Sequence, residues 1–114
     1  MNILSTKHSP ILSAQKNLSP EIGEYQGTQT ALSFPNQKNE MKYKKILGLT
    51  DLSCLPRFGI KGPSAEAWLL SQGLSVPSQF NSWVVDPQGI LVLRLGNSEF
   101  LIEDQFNSNF CQKL

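Results

Sequence analysis

Histidine is almost missing from this chain: of 114 residues only His8 is one, and it sits in a polar stretch. A Ser-His-Asp triad and a His-rich metal centre both need an imidazole held beside its partners, so neither is expected. Cysteine is scarce too. Cys54 and Cys111 lie far apart, with no Cys-x-x-Cys pair, and read as a buried thiol and a tail thiol rather than a disulfide. No P-loop and no dinucleotide glycine fingerprint is present. Apolar runs are only a few residues long, too short to span a bilayer. The first twenty residues lack the apolar centre of a secretory signal, which points to the cytoplasm. Charge is low at 17%, and 10 basic residues nearly balance 9 acidic ones for a net charge of +1. That leaves no electrostatic case for nucleic acid or an anionic membrane as a partner of the whole surface.

What is present fits one domain at most. Residues 1–27 are rich in Ser, Asn, Gln and Lys, interrupted by Pro10 and Pro20. So little apolar surface cannot offset the entropy of ordering, and a disordered segment is expected. "TQTALSF" (28–34) alternates as a short strand before Pro35. "NQKNEMKYKKIL" follows as a helix, with Asn36 as N-cap and Glu40 in the first turns. Met41, Lys44 or Lys45, and Leu47 fall roughly on one stripe, and Lys38, Lys42, Lys44 and Lys45 form a basic face, read as solvated in preference to an anion site.

"RFGIKGPSAEAWLLSQGL" (57–74) turns abruptly from strand to helix. Phe58 and Ile60 share one side of the strand. Gly62 permits a tight exit, Pro63 suits the first helical turn, and Gly73 supplies a left-handed stop. Ala65, Trp68 and Leu69 share a helix face, with Trp68 the expected main anchor. A phosphate cradle would need several glycines and free N–H groups, whereas Pro63 removes one, so the turn reads as architecture.

The last third, "NSWVVDPQGILVLRLGNSEFLIED", carries two turn signals, Asp86-Pro87-Gln88-Gly89 and Gly96-Asn97, between three strand-like runs. These predict an antiparallel meander, with Leu91, Leu93 and Leu95 on one face and Val92 and Arg94 on the other. Trp68 is expected to pack near Phe58 and those leucines, and the strand of Phe100 to Glu103 to end as an open edge. The fold class is α+β, a helix covering one face of an antiparallel sheet.

Gly48, Leu49, Asp51, Ser53, Gly62, Pro63, Ala65 and Leu69 stand in an order and spacing that resembles the opening of the folate-binding aminomethyltransferase family. That family includes the glycine cleavage T-protein and the sarcosine oxidase subunits. Glu40 matches a glutamate usual in the family's preceding helix, and "IKGPSAEAWL" and "SEFLIED" are most similar to the sarcosine oxidase gamma subunit. The resemblance covers residues 28–104 and implies a partial folate-binding-like domain, followed by a tail over 105–114. It also implies tetrahydrofolate as the family's cofactor.

The family's folate contacts and acidic residue come largely from segments beyond such hairpins, and Cys54 stands where catalytic relatives often have histidine. The expectation is therefore a truncated, non-catalytic module of a one-carbon or amine-oxidising assembly, without a cofactor or catalytic residue of its own. Its partner would be a larger subunit or a second copy. Asp51 and Ser53 read as turn or capping residues rather than ligand contacts. The alternatives are a tetrahydrofolate-dependent aminomethyltransferase-type enzyme, or a truncated product with no independent function.

Overall fold

The computed structural model describes residues 7–106 and 108–113. The chain is α+β and divides between Cys54 and Leu55 into two compact units. The division falls inside the stretch expected to form one domain over 28–104.

The first unit is built on a hairpin. β2 (Glu21–Tyr25) runs antiparallel to β3 (Thr28–Ser33), joined by Gln26 and Gly27 with φ of 47° and 79°. Two successive left-handed residues make the tight turn whose twist matches the strands. β1 (Lys7–His8) lies parallel along the other side of β3, giving the order β1-β3-β2. The Ser9 N–H extends that pairing by donating to the Gln29 carbonyl at 2.9 Å. Between β1 and β2 run α1 (Leu12–Gln15) and a 3-10 turn (Lys16–Leu18).

The expected disorder of residues 1–27 does not hold for the described part, from Lys7 on; residues 1–6 lie outside the described residues. What holds the segment is main-chain pairing rather than apolar burial. Among its described residues Leu12 is the buried apolar side chain, and Ser9, with Thr28 and Thr30 of β3, is buried as well. A composition argument counts apolar burial and overlooks a turn that brings two polar strands together.

The helix α2 (Gln37–Tyr43) starts at Asn36, whose Oδ1 accepts from the Asn39 N–H at 3.4 Å, as its N-cap role requires. None of its side chains is buried. The stripe of Met41 and Leu47 is in solvent, Met41 being 65% and Leu47 82% exposed.

The second unit is a four-stranded antiparallel sheet with a helix on one face. β4 (Arg57–Lys61), α3 (Ala65–Ser71), β5 (Ser82–Val85), β6 (Ile90–Arg94) and β7 (Glu99–Asp104) follow in the chain, and the strands assemble in the order β4-β7-β6-β5. β7 is therefore central, paired to β4 on one side and to β6 on the other. The open edge expected at Phe100 to Glu103 does not exist, because the strand before the helix returns to cover it.

Strand alternation splits this sheet into two unlike faces. Phe100, Ile102, Ile90 and Val92 are almost fully buried and pack with Ala65, Leu69 and Leu74; Phe58, Ile60 and Val84 lean on the same cluster. The leucines of "LVLRL" point the opposite way, so the expected core face is inverted. Leu91 and Leu93 are only partly buried and Leu95 is 48% exposed, whereas Arg94 is buried. Leucine count pointed to the wrong side; β-branched Ile90 and Val92 fill the space beneath α3.

Trp68 is likewise not the main anchor. It is 37% exposed, with Phe58 edge-on to its ring at 6.3 Å, while Leu69 is fully buried. Gly73 has φ of 80° and closes the helix as expected.

Candidate functional site

The opening turn is architectural. The Gly62 N–H donates to the Ser98 carbonyl at 2.9 Å, continuing the β4–β7 ladder, and the Gly62 carbonyl accepts from Ala65 at 3.1 Å. Gly62 has φ of 140°, a value glycine alone adopts comfortably, so its role is to bend the chain out of the sheet.

Among the described residues of the second unit, three charged side chains are buried: Arg94, Asp86 and Asp104. Arg94, in β6, donates from Nη1 to the Pro77 carbonyl at 3.0 Å, and from Nη2 to the Asn97 carbonyl at 2.9 Å and Glu66 Oε2 at 3.0 Å. Its Nε donates to the Gly96 carbonyl at 3.3 Å, and the guanidinium lies over the rings of Phe80 and Phe100 at 5.6 and 5.2 Å. The planar fork thus ties together the loop before β5, the β6–β7 turn and α3.

Asp86 begins the β5–β6 turn and accepts from the Gln88 N–H at 2.8 Å and the Ser75 N–H at 2.9 Å. Burial pushes its carboxyl up, but the hydrogen bonds from Gln88 and Ser75 outweigh it and hold the group below its ordinary value. Asp104, at the end of β7, is fully buried and accepts from the Phe110 and Cys111 N–H groups, capping the 3-10 turn Cys111–Lys113. The Cys111 thiol is pushed up to about 11, chiefly by burial and then by the Asp104 carboxylate. A thiol so disfavoured as thiolate is a poor nucleophile at neutral pH.

The family-like residues fall into two groups. Gly48, Leu49, Asp51 and Ser53 belong to the first unit, and Gly62, Pro63, Ala65 and Leu69 to the second. Glu40 lies exposed on α2. Asp51 Oδ1 accepts from the Ser53 N–H at 3.0 Å and the Ser53 hydroxyl at 2.6 Å, the turn geometry read from sequence. Its Oδ2 also accepts from the Ser9 hydroxyl, 42 residues away, a link no local pattern signals. Burial raises the Asp51 carboxyl, but these bonds prevail and lower it.

The sequence reading placed Arg94 and Asp86 only on a strand face and in a turn. An arginine alternating with aliphatics within a strand was the available signal for the buried hub.

The sheet face opposite α3 is differently composed. Gly59, Leu101, Leu93 and Trp83 stand in one row across the four strands, and Arg57, Glu103, Leu91 and Val85 in the next. Arg57 and Glu103 pair at 3.3 Å, and Lys61 and Glu99 at 3.8 Å, so charge gathers towards β4. A depression of about 250 Å³ lies among Gly59, Lys61, Leu95, Glu99 and Leu101. Towards β5 the face is apolar and open, with Trp83 66% and Val85 49% exposed.

Among the described residues, no group of three or more His, Cys, Asp or Glu is placed to hold a metal ion, and no helix is long and apolar enough to cross a membrane. No protein-family model, curated protein or solved structure matches the chain.

Proposed function

We propose that this chain is a non-catalytic binding module, comparable to the gamma subunit of a sarcosine oxidase, in a cytoplasmic one-carbon or amine-oxidising assembly. One observation carries the reading: the contrast between the buried polar groups and the outer sheet face. General acid–base chemistry needs a side chain with a position free to exchange a proton with substrate. Arg94, Asp86 and Asp104 are instead bound to main-chain groups of their own unit. Meanwhile Trp83, Val85 and Leu95 meet solvent, and contiguous apolar surface of this kind marks an interaction site. The comparison with a sarcosine oxidase gamma subunit comes from the resemblance of residues 28–104 to the opening of a folate-binding domain.

Under this reading tetrahydrofolate belongs to the assembly, not to this chain. Titrating tetrahydrofolate into the protein while following Trp68 and Trp83 fluorescence tests it. The expected result is no saturable change below millimolar ligand. Saturable submillimolar binding overturns the proposal in favour of an aminomethyltransferase-type enzyme.

A further inference from the structure

The two edges of the second unit's sheet are protected unequally. β4 carries Arg57 and Lys61, and antiparallel pairing of β4 with its own copy about Gly59 would set each against the other, like charge on like. Charged side chains are a common device for keeping an edge strand unpaired. β5, at the opposite edge, is Ser82-Trp83-Val84-Val85, with neither charge nor proline.

Hydrogen-bond alternation determines which β5 groups are available. The Asp86 N–H donates to the Ile90 carbonyl at 2.8 Å, and pairing continues through Val84 opposite Val92 and Ser82 opposite Arg94. In an antiparallel ladder every second residue exchanges its bonds with the neighbour. The N–H and C=O groups of Ser82 and Val84 thus turn towards β6, and those of Trp83 and Val85 turn outward.

We infer that two copies of the chain join edge to edge through β5, each continuing the other's sheet across a twofold axis. The axis passes beside Val84. Trp83 of one copy then lies opposite Val85 of the other, and each such pair exchanges both its N–H···O bonds, giving four across the axis. The side chains match as well: Trp83 and Val85 share the outer face, and an aromatic opposite a β-branched residue is a favourable cross-strand pair. An isologous contact requires a patch complementary to itself, and this uncharged four-residue strand meets that requirement. The inference rests on the reading of the chain as a binding module and names its partner as a second copy.

Sedimentation equilibrium of the full chain over a micromolar concentration series tests it. The expected mass rises from monomer to dimer and stops there. Val85→Pro removes an outward donor without touching the bonds to β6 and is expected to weaken the dimer roughly tenfold or more. Trp83→Lys should do the same by placing charge on the edge. Leu101→Lys changes the same outer face on the central strand and should leave the dimer intact. Far-ultraviolet circular dichroism confirms that each variant remains folded.

A monomer at every concentration overturns the inference, as does dimerisation lost in Leu101→Lys but kept in Val85→Pro, which would mean that faces stack rather than edges pair. Neither outcome bears on the folate titration, so failure of the edge contact and failure of the binding-module reading are separable.

Discussion

Arg94 shows how a charged residue can serve as core. It is 6% exposed, yet its guanidinium is met by three main-chain carbonyls, a carboxylate and two aromatic rings. Removing it leaves the carbonyl of buried Pro77 without that donor, so Arg94→Ala should destabilise the chain by about 1–3 kcal/mol. Glu66 is the partner nearest water, its side chain 45% exposed, and an exposed ion pair contributes at most about 1 kcal/mol. Urea unfolding should therefore separate Arg94→Ala from a nearly neutral Glu66→Gln. Asp86 contributes through pH. Its folded carboxyl lies below the ordinary value of 3.8, so the ionised group stabilises the fold above that value, and the stabilisation fades as pH falls through the folded pKa. Asp86→Asn should be less stable at neutral pH and lose less further stability in strong acid. Urea midpoints at both conditions for parent and variant check the sign.

Among the elements, α3 covers the buried face of the second unit's sheet. Its strand-to-helix entry depends on the left-handed freedom of Gly62, and its buried stripe is Ala65 and Leu69. Leu69→Ala should cost about 2–5 kcal/mol, the usual range for a buried leucine truncated to alanine. Trp68→Ala should cost less despite the larger side chain, because the ring lies 37% exposed at the rim of the cluster. A Trp68→Ala loss exceeding that of Leu69→Ala in chemical unfolding would refute this ranking. The hairpin of β2 and β3 works by another principle. Its Gln26-Gly27 turn sets the register, and its strands are polar on much of both faces.

For the whole molecule, the chain divides between Cys54 and Leu55, and the stretch of the first unit that leads to this division is exposed. α2 buries no side chain, and residues 41–50 are exposed throughout. Proteolysis selects exposed backbone that unfolds locally at little cost. Brief trypsin treatment should cut first after Lys42, Lys44 or Lys45 and release two protected fragments. Intact-mass analysis of the first products identifies the bond. Initial cleavage after Arg57, Lys61 or Arg94, within the second unit's sheet, would contradict the two-unit organisation.

Local rules written in the sequence determined the α+β class, the Asn36 cap, the strand–Gly-Pro–helix passage, the left-handed stop at Gly73 and the two turns of the meander. Each depends on backbone conformations a few residues wide, so the information is local. The tertiary structure alone decided the rest. Whether the leucines or Ile90 and Val92 face inward depends on which side α3 packs against, and alternation is symmetric with respect to that choice. Whether β7 is an edge depends on its pairing with β4, which lies about forty residues earlier in the chain, a long-range contact no spacing encodes. The polar N-terminal strands hold together through hydrogen bonds, which composition does not count. Arg94 became a buried hub because two loops deliver three carbonyls to one point, and that convergence exists only once the chain has folded.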